Sequence, residues 1–365
     1  MTQDTHAKPA GSLTRREILR AGGALSLGAL GAGIVAACGP AASPSASASA
    51  PAAATATATV KPSQAVSMRL GWLANSQYAG DFVALDKGYY KERGIDLKID
   101  PGGPNIDPVA LTASGANTIG NVASIAAMFL ARSNGIPVRA FATALQRHPF
   151  AFITLDQKIN SPADFVGKKI GIQATARPLI DAVIAKYQLP RDKIQITVIG
   201  SDTVPLKTGQ VDIITGWVID APQMAAVGPG AKTLLLWDLG IRLYAFTYFA
   251  SEDVFKNRSD MLVDFVAASA KGWEYAADHV EEATDITLKY AKDLKRDLEM
   301  ETWRQEAPFL WSATTKEKGW GWMEPQVWDD AIGVYSGLGL LKDQITSKDA
   351  MTQDILQRVT SRPKR

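Results

Sequence analysis

From Ser67 onward, short β-branched runs alternate with longer stretches whose apolar positions recur at helical spacing. The segments 68–72, 169–172, 194–199 and 211–215 read as strands, bounded by Gly, Pro, Asn or Asp. Residues 80–93 predict a helix closed by Gly94, and Ile95-Asp96-Leu97-Lys98-Ile99 then alternates like a half-exposed strand. Strand, helix, strand is therefore the opening unit. The alternation predicts an α/β fold with mainly parallel sheets. After Tyr248 the pattern becomes mostly helical, with a long amphipathic period over 261–292.

The first 66 residues follow a different rule. A basic start with Arg15-Arg16 precedes an apolar stretch over 21–37, which at about 17 residues is marginal for a bilayer span and suits a cleaved export signal. Thr14-Arg15-Arg16-Glu17-Ile18-Leu19-Arg20 resembles the twin-arginine signal, with Ile where Phe is commoner; ordinary Sec export is the alternative. Val35-Ala36-Ala37-Cys38 resembles a bacterial lipobox, which makes Cys38 the lipid-modified first residue of the mature chain. Cys38 is the only cysteine and has no histidine cluster beside it, which argues against redox or metal work. Several acyl chains, at about 0.8 kcal/mol per buried methylene, would anchor the protein firmly. Residues 39–66 are almost entirely Ala, Ser, Thr and Pro, a disordered tether reaching roughly 30 Å. The expected location is the extracytoplasmic face of the cell membrane, held by lipid.

What remains is large enough for one large or two medium globular units. Removing the four basic and two acidic residues of 1–37 from totals of 39 and 37 leaves the mature chain balanced, so a nucleic-acid partner is not expected.

In open α/β sheets ligands sit beyond the C-terminal ends of strands, so the loops after strands are the candidate site. The first such loop offers Trp72, Asn75, Gln77 and Tyr78; a later one, Thr215 to Asp220, offers Trp217 and Asp220. Aromatic faces on both sides suit a flat heteroaromatic ring, and amides or a carboxylate suit its polar edge. Asn121, Ser124, Gln146, Thr175 and Tyr248 complete the candidate set. Bland readings stand beside these: Trp72 and Trp217 as core packing, Asn121, Ser124 and Asp220 as helix caps, Gln146 as hinge structure. Trp303, Trp311, Trp320, Trp322 and Trp328 read as C-terminal helices packing on the first lobe. Arg147 and Arg177 are the only well-placed cations, few for a nitrate or sulfonate site.

The opening Trp72-Leu73-Ala74-Asn75-Ser76-Gln77-Tyr78-Ala79-Gly80, followed by Lys87-Gly88-Tyr89-Tyr90-Lys91-Glu92-Arg93-Gly94-Ile95-Asp96-Leu97, resembles the substrate-binding proteins of ABC importers for thiamine pyrimidine precursors, riboflavin, alkanesulfonates and nitrate. Ser114-Gly115-Ala116-Asn117, the run 131–138 and the run 161–171 match in order and spacing, so that the resemblance covers nearly all of 67–340. It implies the two-lobed periplasmic-binding-protein fold of type II: a first lobe over 67–154, a second over 155–248, return helices over 249–340 and a C-terminal segment over 341–365. It also implies hinge closure over a bound solute, with an ABC permease and separate ATPase subunits as partners of a monomer. Gln77-Tyr78-Ala79-Gly80 resembles the riboflavin-binding members, which puts riboflavin first as transported ligand and a hydroxymethylpyrimidine-type precursor second.

Two other classes stand against this reading. A yeast relative of the family makes pyrimidine by consuming its own histidine with iron, chemistry that needs a lysine and clustered histidines and cysteines; here the histidines are His6, His148 and His279 only. No Ser-His-Asp ordering, phosphate loop or paired catalytic carboxylate stands out, so no catalytic residue, metal or cofactor is expected. A lipid-anchored sensor or adhesin domain would lack the two-lobed cleft.

Overall fold

The computed structural model describes residues 62–365, so the expected export signal, Cys38 and most of the tether lie outside the described residues. Among the described residues ten strands form the frame: β1 (Gln64–Arg69), β2 (Ile95–Asp100), β3 (Ile119–Val122), β4 (Val138–Leu145), β5 (Phe150–Thr154), β6 (Lys169–Ile172), β7 (Gln195–Val198), β8 (Ile213–Trp217), β9 (Lys232–Leu235) and β10 (Ala245–Ser251). They make two five-stranded sheets, ordered β2-β1-β3-β10-β4 and β7-β6-β8-β5-β9. In the first, β1 runs parallel to β2 and β3, and β10 lies antiparallel between β3 and β4. The second repeats this plan: β6 is parallel to β7 and β8, and β5 is antiparallel to β8 and β9.

In the first lobe, α1 (Ala79–Asp86), α2 (Tyr89–Glu92), α3 (Pro108–Ala113) and α4 (Ala126–Ser133) follow its strands. In the second lie α5 (Arg177–Lys186), α6 (Val204–Lys207) and α7 (Ala221–Val227). The return to the first lobe is helical: α8 (Glu252–Asp278), α9 (Val280–Tyr290), α10 (Arg296–Glu306), α11 (Ala313–Lys318), α12 (Pro325–Gly337), α13 (Ser347–Ala350) and α14 (Asp354–Arg358).

Sheet membership moves the lobe boundaries expected at 154 and 248. Strand β5 already belongs to the second sheet and β10 to the first, so the chain crosses at 146–149 and again at 236–244. The His148 amide donates to Leu243 O at 2.9 Å and ties the crossings side by side. The helix expected over 80–93 is broken at Gly88, whose φ of 75° is left-handed and separates α1 from α2.

The first lobe is held by α1 and α8 packed on its sheet. Gly80 lies so close to the Trp273 indole that a Cβ would fall 2.1 Å from the ring, so only glycine lets the two helices meet. Beside this contact the Asp81 carboxylate accepts from Tyr248 Oη at 2.8 and 2.9 Å and from Tyr90 Oη at 3.2 Å. Trp273 Nε1 in turn donates to Tyr248 Oη at 2.8 Å. Burial pushes the Asp81 carboxyl up to about 7, against the lowering effect of these donors. Trp303, Trp320 and Trp328 are fully buried in the return segment and Trp311 and Trp322 half-buried against it, the packing role read for them from sequence. No helix among the described residues is long and apolar enough to cross a membrane.

Candidate functional site

The loop after β1 ends in a 3-10 turn, Ser76–Tyr78, that leads into α1. Asn75 caps this turn, its Oδ1 accepting from Gln77 N at 3.0 Å, while its Nδ2 reaches Gln77 Oε1 at 3.4 Å. Tyr78 is fully buried, and its hydroxyl, close to the Gly71 and Trp72 backbone, forms no well-aligned hydrogen bond. Burial holds that phenol far above its ordinary range. Trp72, in the same loop, is 43% exposed, which rules out core packing.

Across the cleft, β8 ends at Trp217, and Asp220 caps α7 by accepting from Gln223 N at 2.9 Å. Gln223 Oε1 accepts from Trp217 N at 3.2 Å, and a Cβ on Gly216 would collide with that side chain at 2.0 Å. The Trp217 ring lies 5.0 Å from His148 and 5.6 Å from Phe246, and Phe246 lies 5.1 Å from Tyr78. Tyr78, Phe246, Trp217 and His148 therefore form a continuous aromatic seam from the first lobe, through the crossing, to the second. Tyr78 follows β1 and Trp217 ends β8, the strand ends where ligands of such sheets bind; Tyr78, Phe246 and His148 are buried here and Trp217 is half-buried.

Phe246 has a φ of 50°, a left-handed conformation that strains a bulky residue and recurs at ligand clamps. His148 Nδ1 accepts from Phe150 N at 3.2 Å, which places its proton on Nε2, and burial lowers its pKa to about 3. The imidazole is thus a neutral wall.

The other expected site residues divide. Asn121 is fully buried in β3, and neither end of its amide has a partner. Thr175 is exposed in the 3-10 turn Ala174–Ala176 ahead of α5. Ser124 Oγ accepts from Ala126 N at 3.3 Å, one residue ahead of Ile125, the N-cap of α4. Gln146 is committed to the return segment, its Nε2 donating to Trp322 O at 3.0 Å and its Oε1 accepting from Ser312 Oγ at 3.1 Å. Tyr248 requires a correction: its hydroxyl is engaged by Asp81 and Trp273 inside the first lobe, and the left-handed backbone at Phe246 brings that ring to the seam instead. The two cations are also engaged, Arg147 over the Phe309 ring at 4.7 Å and Arg177 with Asp181 at 2.6 Å.

Sequence reasoning missed Phe246 and helix α10. That helix reaches both sides of the cleft: Glu299 Oε2 accepts from Ser76 N of the first lobe at 2.8 Å, and Thr302 Oγ1 accepts from Ala221 N of the second at 3.4 Å. The available signal was a buried helix face made of Glu and Thr where apolar residues would be expected.

Residues 75–283 match the family described as NMT1/THI5 like. The chain belongs to this family. It is 27% identical over 303 residues to the riboflavin-binding protein RibY of Chloroflexus aurantiacus, covering 80% of this chain and 86% of the relative. It is 24% identical to the formylaminopyrimidine-binding protein of Halalkalibacterium halodurans, covering 79% and 90%. A 4-amino-5-hydroxymethyl-2-methylpyrimidine phosphate synthase of Legionella pneumophila is 23% identical, covering 67% and 79%. Among solved structures, the periplasmic aliphatic sulphonate binding protein SsuA of Escherichia coli superposes with a TM-score of 0.58 at 15% identity, covering 82% and 93%. The fold is the two-lobed one of periplasmic binding proteins.

Proposed function

We propose that this protein captures a flat heteroaromatic solute between its lobes and delivers it to an ABC permease powered by separate ATPase subunits. Riboflavin is the leading solute, and a thiamine pyrimidine precursor is second. The observation that carries this reading is the seam of Tyr78, Phe246 and Trp217, which joins aromatic faces from both lobes where the strands end. Stacking and exclusion of water suit a planar ring, and contacts from both lobes give a bound solute the leverage to hold the hinge closed.

The relative named for riboflavin and the Gln77-Tyr78-Ala79-Gly80 opening favour the flavin. The relative named for formylaminopyrimidine keeps the smaller ring in second place. A sulfonate or nitrate is disfavoured because Arg147 and Arg177 are both engaged elsewhere. Binding rather than catalysis is supported by the state of His148, buried, neutral and hydrogen-bonded to the backbone. A lipid anchor on Cys38 and an extracytoplasmic location belong to the same reading.

The test is a calorimetric titration of the full-length chain in detergent, freed of co-purified ligand by unfolding and refolding, with riboflavin and hydroxymethylpyrimidine separately. Riboflavin binding tighter than about 1 μM, roughly −8 kcal/mol, with none for the pyrimidine is expected. The reverse preference moves the protein to thiamine supply, and silence from both sinks the flat-solute reading.

A further inference from the structure

The buried face of α10 is built from Glu299, Thr302, Trp303 and Glu306, whose spacing places them on one side of a helix. Three of them have partners: Glu299 holds Ser76 N, Thr302 meets Ala221 N, and Trp303 Nε1 donates to Ala276 O at 2.8 Å. Glu306 has none. Its side chain is fully buried, and neither carboxyl oxygen makes a hydrogen bond. An enclosed, unpaired carboxyl works against folding, and native interiors rarely keep one without a use.

Glu306 lies on the face of α10 that borders the loop after β1. Helix α10 packs against the 3-10 turn Ser76–Tyr78, and Glu299 of the same face holds Ser76 N. The Tyr78 ring is the first member of the aromatic seam. Ser76 Oγ, in the same 3-10 turn as Tyr78, is likewise enclosed and without a partner. The helix that carries Glu306 also touches both lobes.

We propose that Glu306 determines the specificity of the solute site, its carboxyl pairing side by side with an adjacent N–H donor and acceptor on the edge of a flat heterocycle whose face lies on the aromatic seam. The proposal rests on the flat-solute reading above. Burial, reinforced by the neighbouring carboxyls of Asp81 and Glu299, holds Glu306 well above the usual carboxylate range. In its protonated form the group has one O–H to donate and one carbonyl oxygen to accept. That pair matches the cyclic imide edge of a flavin or the amidine-like edge of an aminopyrimidine. It does not match a sulfonate or nitrate, which offers acceptors only.

The test compares full-length wild type, Glu306→Leu and Glu306→Gln in detergent, with riboflavin and 4-amino-5-hydroxymethyl-2-methylpyrimidine as separate probes. For whichever probe the wild type binds, the Leu variant is expected to bind at least about tenfold more weakly and the Gln variant, which keeps a donor and an acceptor, about threefold. An edge-blocked analogue, N3-methylriboflavin or the dimethylamino pyrimidine, should bind wild type about tenfold worse than its parent, a penalty that disappears in Glu306→Leu. A purely structural role for Glu306 would not move that analogue penalty. Equal affinity of wild type and Glu306→Leu for the parent probe overturns the proposal. Failure of the wild type to bind either probe sinks the flat-solute reading instead, and the melting temperature of the ligand-free chain then decides the role of Glu306. A rise of a few degrees in Glu306→Leu agrees with a carboxyl left unpaired for a ligand, whereas a fall reveals a structural partner and overturns the proposal.

Discussion

The two lobes share one sheet plan but treat their buried polar groups differently. In the second lobe these groups have local partners: Thr154 Oγ1 donates to Asp212 O, Thr215 Oγ1 accepts from Gln173 N, and Gln223 accepts from Trp217 N. Among the described residues, the buried side-chain polar atoms without a partner all belong to the first lobe and its return helices, Ser76, Asn121 and Glu306 among them. Yet the first lobe also contains the fully engaged Asp81 network, so it is able to satisfy polar groups where it needs to. On the proposed reading, recognition of a polar edge falls to the first lobe, which also carries Tyr78 and Phe246, and the second lobe adds the Trp217 ring.

The largest expected effect tests the satisfied half of this contrast. Asp81→Ala removes the common acceptor of Tyr90 and Tyr248 and leaves a hole beside Trp273, and should cost about 3 kcal/mol in urea unfolding. A cost below about 1 kcal/mol would show that the tyrosines find other partners and that the network is not what orders the lobe.

Stability against pH separates the two regions next. Asp81 titrates near 7 when folded and near 3.8 when unfolded, so between those values the folded state binds the extra proton and stability falls as pH rises. His148 titrates near 3 when folded and near 6.5 when unfolded, so over that window the unfolded state binds the extra proton and stability rises with pH. In the wild type the two slopes oppose each other between about pH 4 and 6.5. Glu306, also held well above the usual carboxylate range, adds a falling slope of its own, so Asp81→Asn should shift the wild-type slope upward and His148→Asn shift it downward, each by up to roughly 1.4 kcal/mol per pH unit. Parallel curves for the two variants in chemical denaturation would refute the assignment.

The smallest effects compare the two aromatic candidates by affinity for the solute that binds. Trp217→Ala, which removes the second-lobe member of the seam, should cost about 2 kcal/mol of binding, and Trp72→Ala, at the exposed opening, about 1 kcal/mol. A larger loss at Trp72 would move the stacking platform to the mouth of the first lobe.

Much of the frame was legible along the chain because strand and helix periodicities are local. The segment 169–172 coincides with β6, and the alternation at 95–99 lies within β2. The cap at Asp220 was legible too, since an acceptor at a helix start acts on an amide three residues away. The seam was half visible: Tyr78 and Trp217 follow strands, but nothing near residue 246 announces a left-handed phenylalanine between them. Tyr248 misled for the same reason, because strand alternation cannot tell a ring that faces a cleft from one that faces an interior carboxylate.

The sequence by itself determined the α/β alternation, the aromatic loops after the strands and the family resemblance, all of which depend on neighbours within a few positions. Tertiary structure alone decided which polar groups were satisfied. Ser76 N meets Glu299 across 223 residues, Ala221 N meets Thr302 across 81, and the carboxyl of Glu306 on the same helix face makes no hydrogen bond. Partnership of a buried polar group is a property of the three-dimensional neighbourhood, and periodicity carries no record of it.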